Sequence, residues 1–383
     1  MAPMVKLANG HLRTWIEIDR RALARNYRAF RQLIGLKVKL MAIAKSNAYG
    51  HNLLDFSRIM VKLGVDWLGV DSIVEATALR RAGLKTNILV LGYTQPVNFP
   101  RAARCRITLT ISSLESLKQL LILSLPPQFH LKIDTGMHRQ GFLLPELARA
   151  VALIARAKLR AQRALTGVYS HLAAASNSAS GDTVRRQITA FEAALATLAA
   201  GGWPRKTLIK HLAATGGAIG YPAARYDLIR IGLGLYGLWP SPVWRRRFQN
   251  KIKLAPALIW KTIVSEVKTL PDGGAIGYDF TESVKAGTKI AVCPIGYWHG
   301  YPRFLSGVGR VRIKNHFAKV LGRVSMDMIV IEVTKIKNLG VGDEVVLLDG
   351  RKVPTAEELA SLTQTSSYEI ITRLNPLIQR FYI

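Results

Sequence analysis

Eight short apolar runs, most of them separated by segments of helical spacing, constrain this chain more than any other feature. They fall at residues 40–44, 67–70, 88–91, 107–111, 129–133, 165–169, 208–212 and 228–231. Between them, apolar positions keep helical spacing at 53–62, 74–82, 114–121, 144–157 and 187–198. Runs that are apolar on both faces suit parallel strands covered by helices. Eight such units in roughly 200 residues point to a closed (β/α)8 barrel. An open doubly wound sheet is the alternative, but no Gly-x-Gly-x-x-Gly follows the first run.

The flanks have a different pattern. Residues 14–19 alternate like a strand, and 20–33 carry apolar residues at helical spacing. Trp239-Pro240-Ser241-Pro242 and the cluster Arg245-Arg246-Arg247 have the composition of a linker. Short β runs with glycine and aspartate turns then follow at 257–264, 289–294, 309–313, 318–321, 328–333 and 344–348. Helical spacing returns at 356–362. The fold class expected is therefore α/β, with a barrel over residues 12–248 and a smaller, mainly β C-terminal domain over 249–383. A chain of 383 residues can build both cores.

Fifty-four basic residues against 24 acidic ones give a net charge of +30. A nucleic-acid or membrane-surface protein would carry such an excess. The basic residues are dispersed, however, and no zinc-finger spacing, RNA-recognition signature or aromatic-laced basic helix accompanies them. No specific nucleic-acid partner is expected, and no apolar run reaches the ~18 residues of a membrane span. Residues 1–10 hold no cleavable signal pattern, so a cytoplasmic location is expected. Cys105 and Cys293 stand far apart without ligand spacing, which fits two reduced, buried thiols and no metal site.

In a barrel, chemistry sits where strands end and βα loops begin. The polar residues at those ends are Lys45, Lys132, Asp134, Arg139, His171, His211, Thr215 and Arg230. Each has an ordinary explanation as a strand-end group. Together they would line one basin rich in positive charge, which wants an anion. Gly232, Leu233, Gly234 and Gly237 would offer it free backbone N–H groups. Lys45 ends a buried run, so it is paired, snorkelling, or deprotonated for chemistry such as Schiff-base formation.

Five motifs then accumulate in order. They are Ala44-Lys45-Ser46-Asn47-Ala48-Tyr49-Gly50-His51, Lys132-Ile133-Asp134-Thr135-Gly136-Met137-His138-Arg139, Arg230-Ile231-Gly232-Leu233-Gly234-Leu235-Tyr236-Gly237, Gly296-Tyr297-Trp298-His299-Gly300-Tyr301-Pro302-Arg303 and Gly322-Arg323-Val324-Ser325-Met326-Asp327. On these the chain resembles the alanine racemase family from about residue 14 to its end. The resemblance implies pyridoxal 5'-phosphate as cofactor, an amino acid as substrate, and a homodimer with shared active sites. Lys45 matches the lysine that binds the cofactor covalently and acts as one proton-transfer base. Tyr278 matches the other base, reaching the barrel of a second subunit. Arg230 matches the arginine that faces the pyridine nitrogen, with His171 beside it. Tyr49, Thr215, Gly232 and Leu233 match the phosphate cradle. Arg139 and Met326 match residues at the substrate carboxylate, the latter from the partner, and Tyr297 matches an entry-channel residue. Lys132 matches a lysine that is carbamylated in some members. The implied product, D-alanine, serves peptidoglycan.

The sequence also departs from that pattern. Thr215 stands where serine is common, Ala214 where asparagine is frequent, and His299 where aspartate is common. Pro376 occupies a place that often supplies another phosphate tyrosine, so the cradle is expected to be one hydroxyl short. Rival functions are a broader amino-acid racemase, a non-catalytic pyridoxal phosphate carrier and a basic nucleic-acid binder.

Overall fold

The computed structural model describes residues 12–177, 181–350 and 352–383. Residues 1–10, on which the signal-sequence expectation rests, lie outside them. The eight apolar runs become strands Lys39–Ile43, Trp67–Val70, Asn87–Val90, Thr108–Ile111, Phe129–Lys132, Leu165–Tyr169, Ile209–His211 and Leu228–Ile231. They pair in parallel, neighbour to neighbour, and the last returns to the first with Lys39 opposite Leu228. The remaining seam is carried by Asp227 N donating to Lys210 O (3.1 Å) and Arg230 N to Ala213 O (3.0 Å). The sheet is therefore a barrel, not an open doubly wound sheet. Its strands are buried on both faces, which is why they read as continuous apolar runs. The barrel centre is polar, because His130, His211 and Arg230 are all buried there.

A nine-stranded sheet forms the second layer. Its order is Glu266–Leu270, Thr288–Cys293, Ile329–Glu332, His316–Leu321, Arg310–Ile313, Glu344–Asp349, Leu258–Ile263, Thr14–Ile18, Gln379–Tyr382. The strand Thr14–Ile18, grouped by sequence with the barrel, belongs here. It pairs antiparallel with Leu258–Ile263 and parallel with Gln379–Tyr382. The expected linker also contains a helix, Pro242–Phe248, started by Ser241 Oγ accepting from Trp244 N (3.2 Å). Trp244 is buried against Gly220, where an added Cβ would meet its ring at 2.6 Å. Cys293 is buried and Cys105 only half-buried, and both are free thiols. Among the described residues no helix is long and apolar enough to cross a membrane.

Asn26 couples the two layers. On the first helix, Arg20–Ile34, its Nδ2 donates to Leu235 O (3.0 Å) and Ala255 O (2.8 Å), while its Oδ1 accepts from Ala255 N (2.8 Å). The side chain is fully buried. Asn26→Ala would strand three backbone partners in the interior. The expected cost is about 2–4 kcal/mol of unfolding free energy, read as a lower denaturant midpoint. A midpoint unchanged from the native chain would remove Asn26 from this role.

Candidate active site

The C-terminal ends of the barrel strands enclose a cavity of about 570 Å³. Lys45, Tyr49, Lys132, Arg139, His171, Thr215, Arg230, Gly232 and Leu233 all line it. Lys45 lies at its edge, half-exposed, with Nζ 3.9 Å from a carboxylate oxygen of Asp71. The next four residues hold an uncommon backbone. Ser46, Asn47, Ala48 and Tyr49 have φ of 56°, 54°, 51° and 52°, a left-handed turn built without glycine. Such a turn costs about 1–2 kcal/mol per residue and persists only where its surroundings enforce it. Here Ser46 N donates to Glu75 Oε1 (2.7 Å), Ala48 N to Ala44 O (2.8 Å), and Leu53 N to Asn47 Oδ1 (2.9 Å). The loop is also clamped from the chain's other end. An added Cβ at Gly50 would lie 2.1 Å from Ile371 O, and Arg380 Nε donates to Gly50 O (3.1 Å). The lysine is thus held by the far C-terminus as well as by its own strand.

One end of the cavity suits an anion. Gly232 is glycine because the Tyr49 hydroxyl occupies the space a Cβ would need, at 2.7 Å. Thr215 opens the short helix Thr215–Gly220, and its Oγ1 accepts from Gly234 N (3.4 Å). Burial, followed by neighbouring Tyr368, pushes the Tyr49 phenol well above its ordinary pKa, so it stays an O–H donor. Hydroxyl and backbone N–H donors around a glycine-lined hollow fit a phosphate group. Tyr368 was not anticipated from the sequence. Its ring centroid lies 5.8 Å from that of Tyr49, and it lines the cavity together with Thr372 from helix Ser367–Thr372. A phenol thus reaches the cavity wall although Pro376 supplies none. The available signal was Ser366 followed three residues later by Glu369, which starts that helix.

The other end is built on Arg230, which is buried beneath it. Its two terminal nitrogens donate to His211 Nδ1 (2.8 Å), His211 O (3.1 Å), Ser170 O (2.7 Å), Leu212 O (3.0 Å) and His171 Nδ1 (3.2 Å). Among the described residues its Nε–H has no protein partner, and Arg230 faces the cavity. Burial lowers its pKa to about 10, so it remains a cation at neutral pH. Arginine only donates, so His211 Nδ1 must accept. His211 then carries its proton on Nε2 and donates to His130 Nδ1 (2.9 Å). His130 in turn holds its proton on Nε2, which is buried without a partner among the described residues. One guanidinium therefore fixes two tautomers in sequence. His211 lies outside the cavity lining, so its part is to position Arg230.

Burial, then the Arg230 charge, pushes His130 and His171 down to about 3 and His211 well below the usual imidazole range. His51 falls to about 4, mainly through burial. Their folded pKa values lie below the unfolded value of ~6.5. Below pH ~6.5 the unfolded chain binds protons that the folded chain refuses, so stability is lost as pH falls. Each histidine contributes a slope of up to about 1.4 kcal/mol per pH unit. Unfolding free energy is expected to fall steeply between pH ~6.5 and ~5, above the carboxylate range. A flat profile in that window would contradict the neutral-histidine arrangement.

Lys132 donates to Gln140 Oε1 (2.9 Å). Burial, then Arg139, Arg230 and Lys45, lowers its pKa to about 8. Asp134 shapes a turn, its Oδ1 accepting from the N–H groups of Gly136, Met137 and His138 at 2.9, 3.0 and 3.1 Å.

Three expected site residues lie elsewhere. Tyr278, Tyr297 and Met326 are on the β layer, 69%, 43% and 54% exposed, and none lines the cavity of its own chain. The motifs of Tyr297 and Met326 are zipped together, with Tyr297 N donating to Ser325 O (3.1 Å) and Trp298 N to Met326 O (3.0 Å). An added Cβ at Gly296 would meet Ser325 O at 2.2 Å, so only glycine permits this contact.

A barrel-mouth lysine beside an anion cradle, in a chain that continues into an exposed, phenol-bearing β layer, is the arrangement of two-domain amino-acid racemases. Residues 18–240 match the alanine racemase N-terminal domain and residues 257–382 the alanine racemase C-terminal domain. The chain belongs to the alanine racemase family. The alanine racemase of Symbiobacterium thermophilum is 38% identical, over 96% of this chain and 97% of that protein. Among solved structures, Clostridium difficile alanine racemase superposes with a TM-score of 0.90 at 29% identity, covering 97% of this chain and 96% of that one. Bacillus anthracis alanine racemase, solved with bound L-Ala-P, gives 0.88 at 30% identity, covering 97% and 95%.

Proposed function

We propose that this protein interconverts L-alanine and D-alanine, with Lys45 working on one face of Cα and the partner subunit's Tyr278 on the other. The residues present fit pyridoxal 5'-phosphate. Tyr49, Thr215 and the backbone at Gly232 and Leu233 would hold its phosphate, and Arg230 its ring nitrogen. Bonded through its aldehyde carbon to the substrate amine in place of the Lys45 amine, that cofactor would make a Cα proton removable by delocalising the charge left behind. Arg230 donates and cannot accept, so it bonds only an unprotonated ring nitrogen. The neutral histidine pair behind it holds that donor in place. Arg139 and the backbone N–H of the partner subunit's Met326 orient the substrate carboxylate, and the partner's Tyr297 narrows the entrance.

Inversion needs a proton taken from one face and returned to the other, and two bases do this more readily than one. The observation that carries the reading is that Lys45, the anion cradle and Arg230 share one cavity from which the chain's own Tyr278 is absent. The working unit is therefore a homodimer with two shared sites. Lys132, its pKa lowered to about 8, holds a larger share of free amine at neutral pH than an ordinary lysine, and that form adds CO₂ with loss of a proton to give a carbamate beside Arg139. We place the enzyme in the cytoplasm, supplying D-alanine to peptidoglycan. The test is racemisation of separate L-amino acids followed by chiral detection. Production of D-alanine supports the reading, whereas turnover confined to other amino acids, or none, rejects it.

A further inference from the structure

A second cavity, of about 850 Å³, opens at the opposite end of the barrel. Asn87 and Thr108, which begin two barrel strands, line it with Gln128, which precedes a third. Four-residue strands span about 13 Å, so this basin is remote from the active site. Arg80, Lys85, Arg104 and Arg106 line it, and among the described residues no acidic side chain does.

Arg80 is the organising group. Its guanidinium donates to Leu84 O (2.6 Å), Thr86 O (2.7 Å), Cys105 O (3.0 Å) and Arg106 O (2.9 Å). It therefore staples two turns from different βα units. Lys85 is held between two stapled neighbours, and Arg106, left-handed at φ 51°, is fixed by the same guanidinium through its own carbonyl. All of Arg80's contacts here are to neutral carbonyls, so its charge is not cancelled. Lys85, Arg104 and Arg106 are exposed and have no ion pair among the described residues. Like charges gathered on a fixed frame favour an anion.

The basin also has an apolar floor. Ile107, Pro126 and Pro127 are buried in it, and Leu125 stands 55% exposed at its side. Its volume is that of a small-molecule site. Three free cations ask for a multiply charged anion, and arginine forks suit phosphate oxygens. The exposed Leu125 side chain offers a flat organic ring an apolar contact. We infer that this basin binds a nucleoside polyphosphate, with Lys85, Arg104 and Arg106 on the phosphates and the base against Leu125.

The test is calorimetric titration of the cofactor-loaded protein with ATP in about 0.15 M salt, where long-range attraction is largely screened. Lys85→Ala/Arg104→Ala/Arg106→Ala is expected to raise the Kd about tenfold or more. Arg149→Ala/Lys335→Ala/Lys337→Ala removes the same charge from exposed positions elsewhere and is expected to leave the Kd within about twofold. The melting temperature of both variants is followed to show that they are folded. The single variant Lys85→Glu, which leaves both arginines and the packing in place, should weaken ATP as well. Inorganic tripolyphosphate should bind more weakly than ATP, because it has no base to set against Leu125. No saturable ATP binding, or equal weakening by the two triple variants, would overturn the site; tripolyphosphate as tight as ATP would overturn its nucleoside part.

Discussion

Lys45→Ala is expected to lower racemisation at least about 10⁴-fold and to abolish the visible absorbance of the bound cofactor. A positioned base alone contributes up to about that factor, and this residue is also the proposed covalent anchor. The competing explanation is structural, since Lys45 Nζ lies 3.9 Å from Asp71 and both side chains are well exposed. An exposed pair of that kind is worth at most about 1 kcal/mol. If pairing were its whole role, the variant would melt slightly earlier and turn over normally. Phosphate affinity should survive, because Tyr49, Thr215 and Gly232 do not depend on the lysine amine. A variant that keeps its colour and a rate within about tenfold of native would reject Lys45 as anchor and base.

The fold was legible where one physical rule acted alone. Strands such as Trp67–Val70 and Leu165–Tyr169 are buried on both faces, so their apolar runs mark them with nearly correct bounds. Thr14–Ile18 was recognisable as a strand but not as a member of the β layer. Its partners lie far along the chain, Thr14 facing Thr262 and Trp15 facing Gln379, and alternation does not name a partner. The edge strand Glu266–Leu270 escaped because it has no buried face to alternate. Within the site, cavity residues that sit in contiguous motifs were readable. The left-handed turn after Lys45 was not, because none of Ser46, Asn47, Ala48 and Tyr49 is a glycine that would announce it. Tyr368 was missed because it reaches the cavity from the far end of the chain, on a six-residue helix too short to show a period.

The proposed sharing of sites between subunits allows a test that no single variant provides. Tyr278→Phe homodimers should lose roughly 10²–10⁴-fold in kcat/KM, equally in both directions because the L/D equilibrium constant is fixed by symmetry. Lys45→Ala homodimers should be inactive. A mixed dimer of the two variants, isolated through two different affinity tags, should recover about half of native activity. One of its sites joins an intact Lys45 to the intact Tyr278 of the other chain, and the second site lacks both bases. If Tyr278 instead served the cavity of its own chain, neither site of the mixed dimer would be complete and it would stay as slow as its parents. The geometry distinguishes these cases beforehand. Tyr278 is 69% exposed and does not line its own cavity. Its turn, with Asp279 at φ 58°, is fixed by an ion pair from Arg323 Nε to Asp279 (2.6 Å), which leaves the phenol projecting outward. An outward phenol away from its own cavity is placed to serve another molecule, so recovery in the mixed dimer is the expected result.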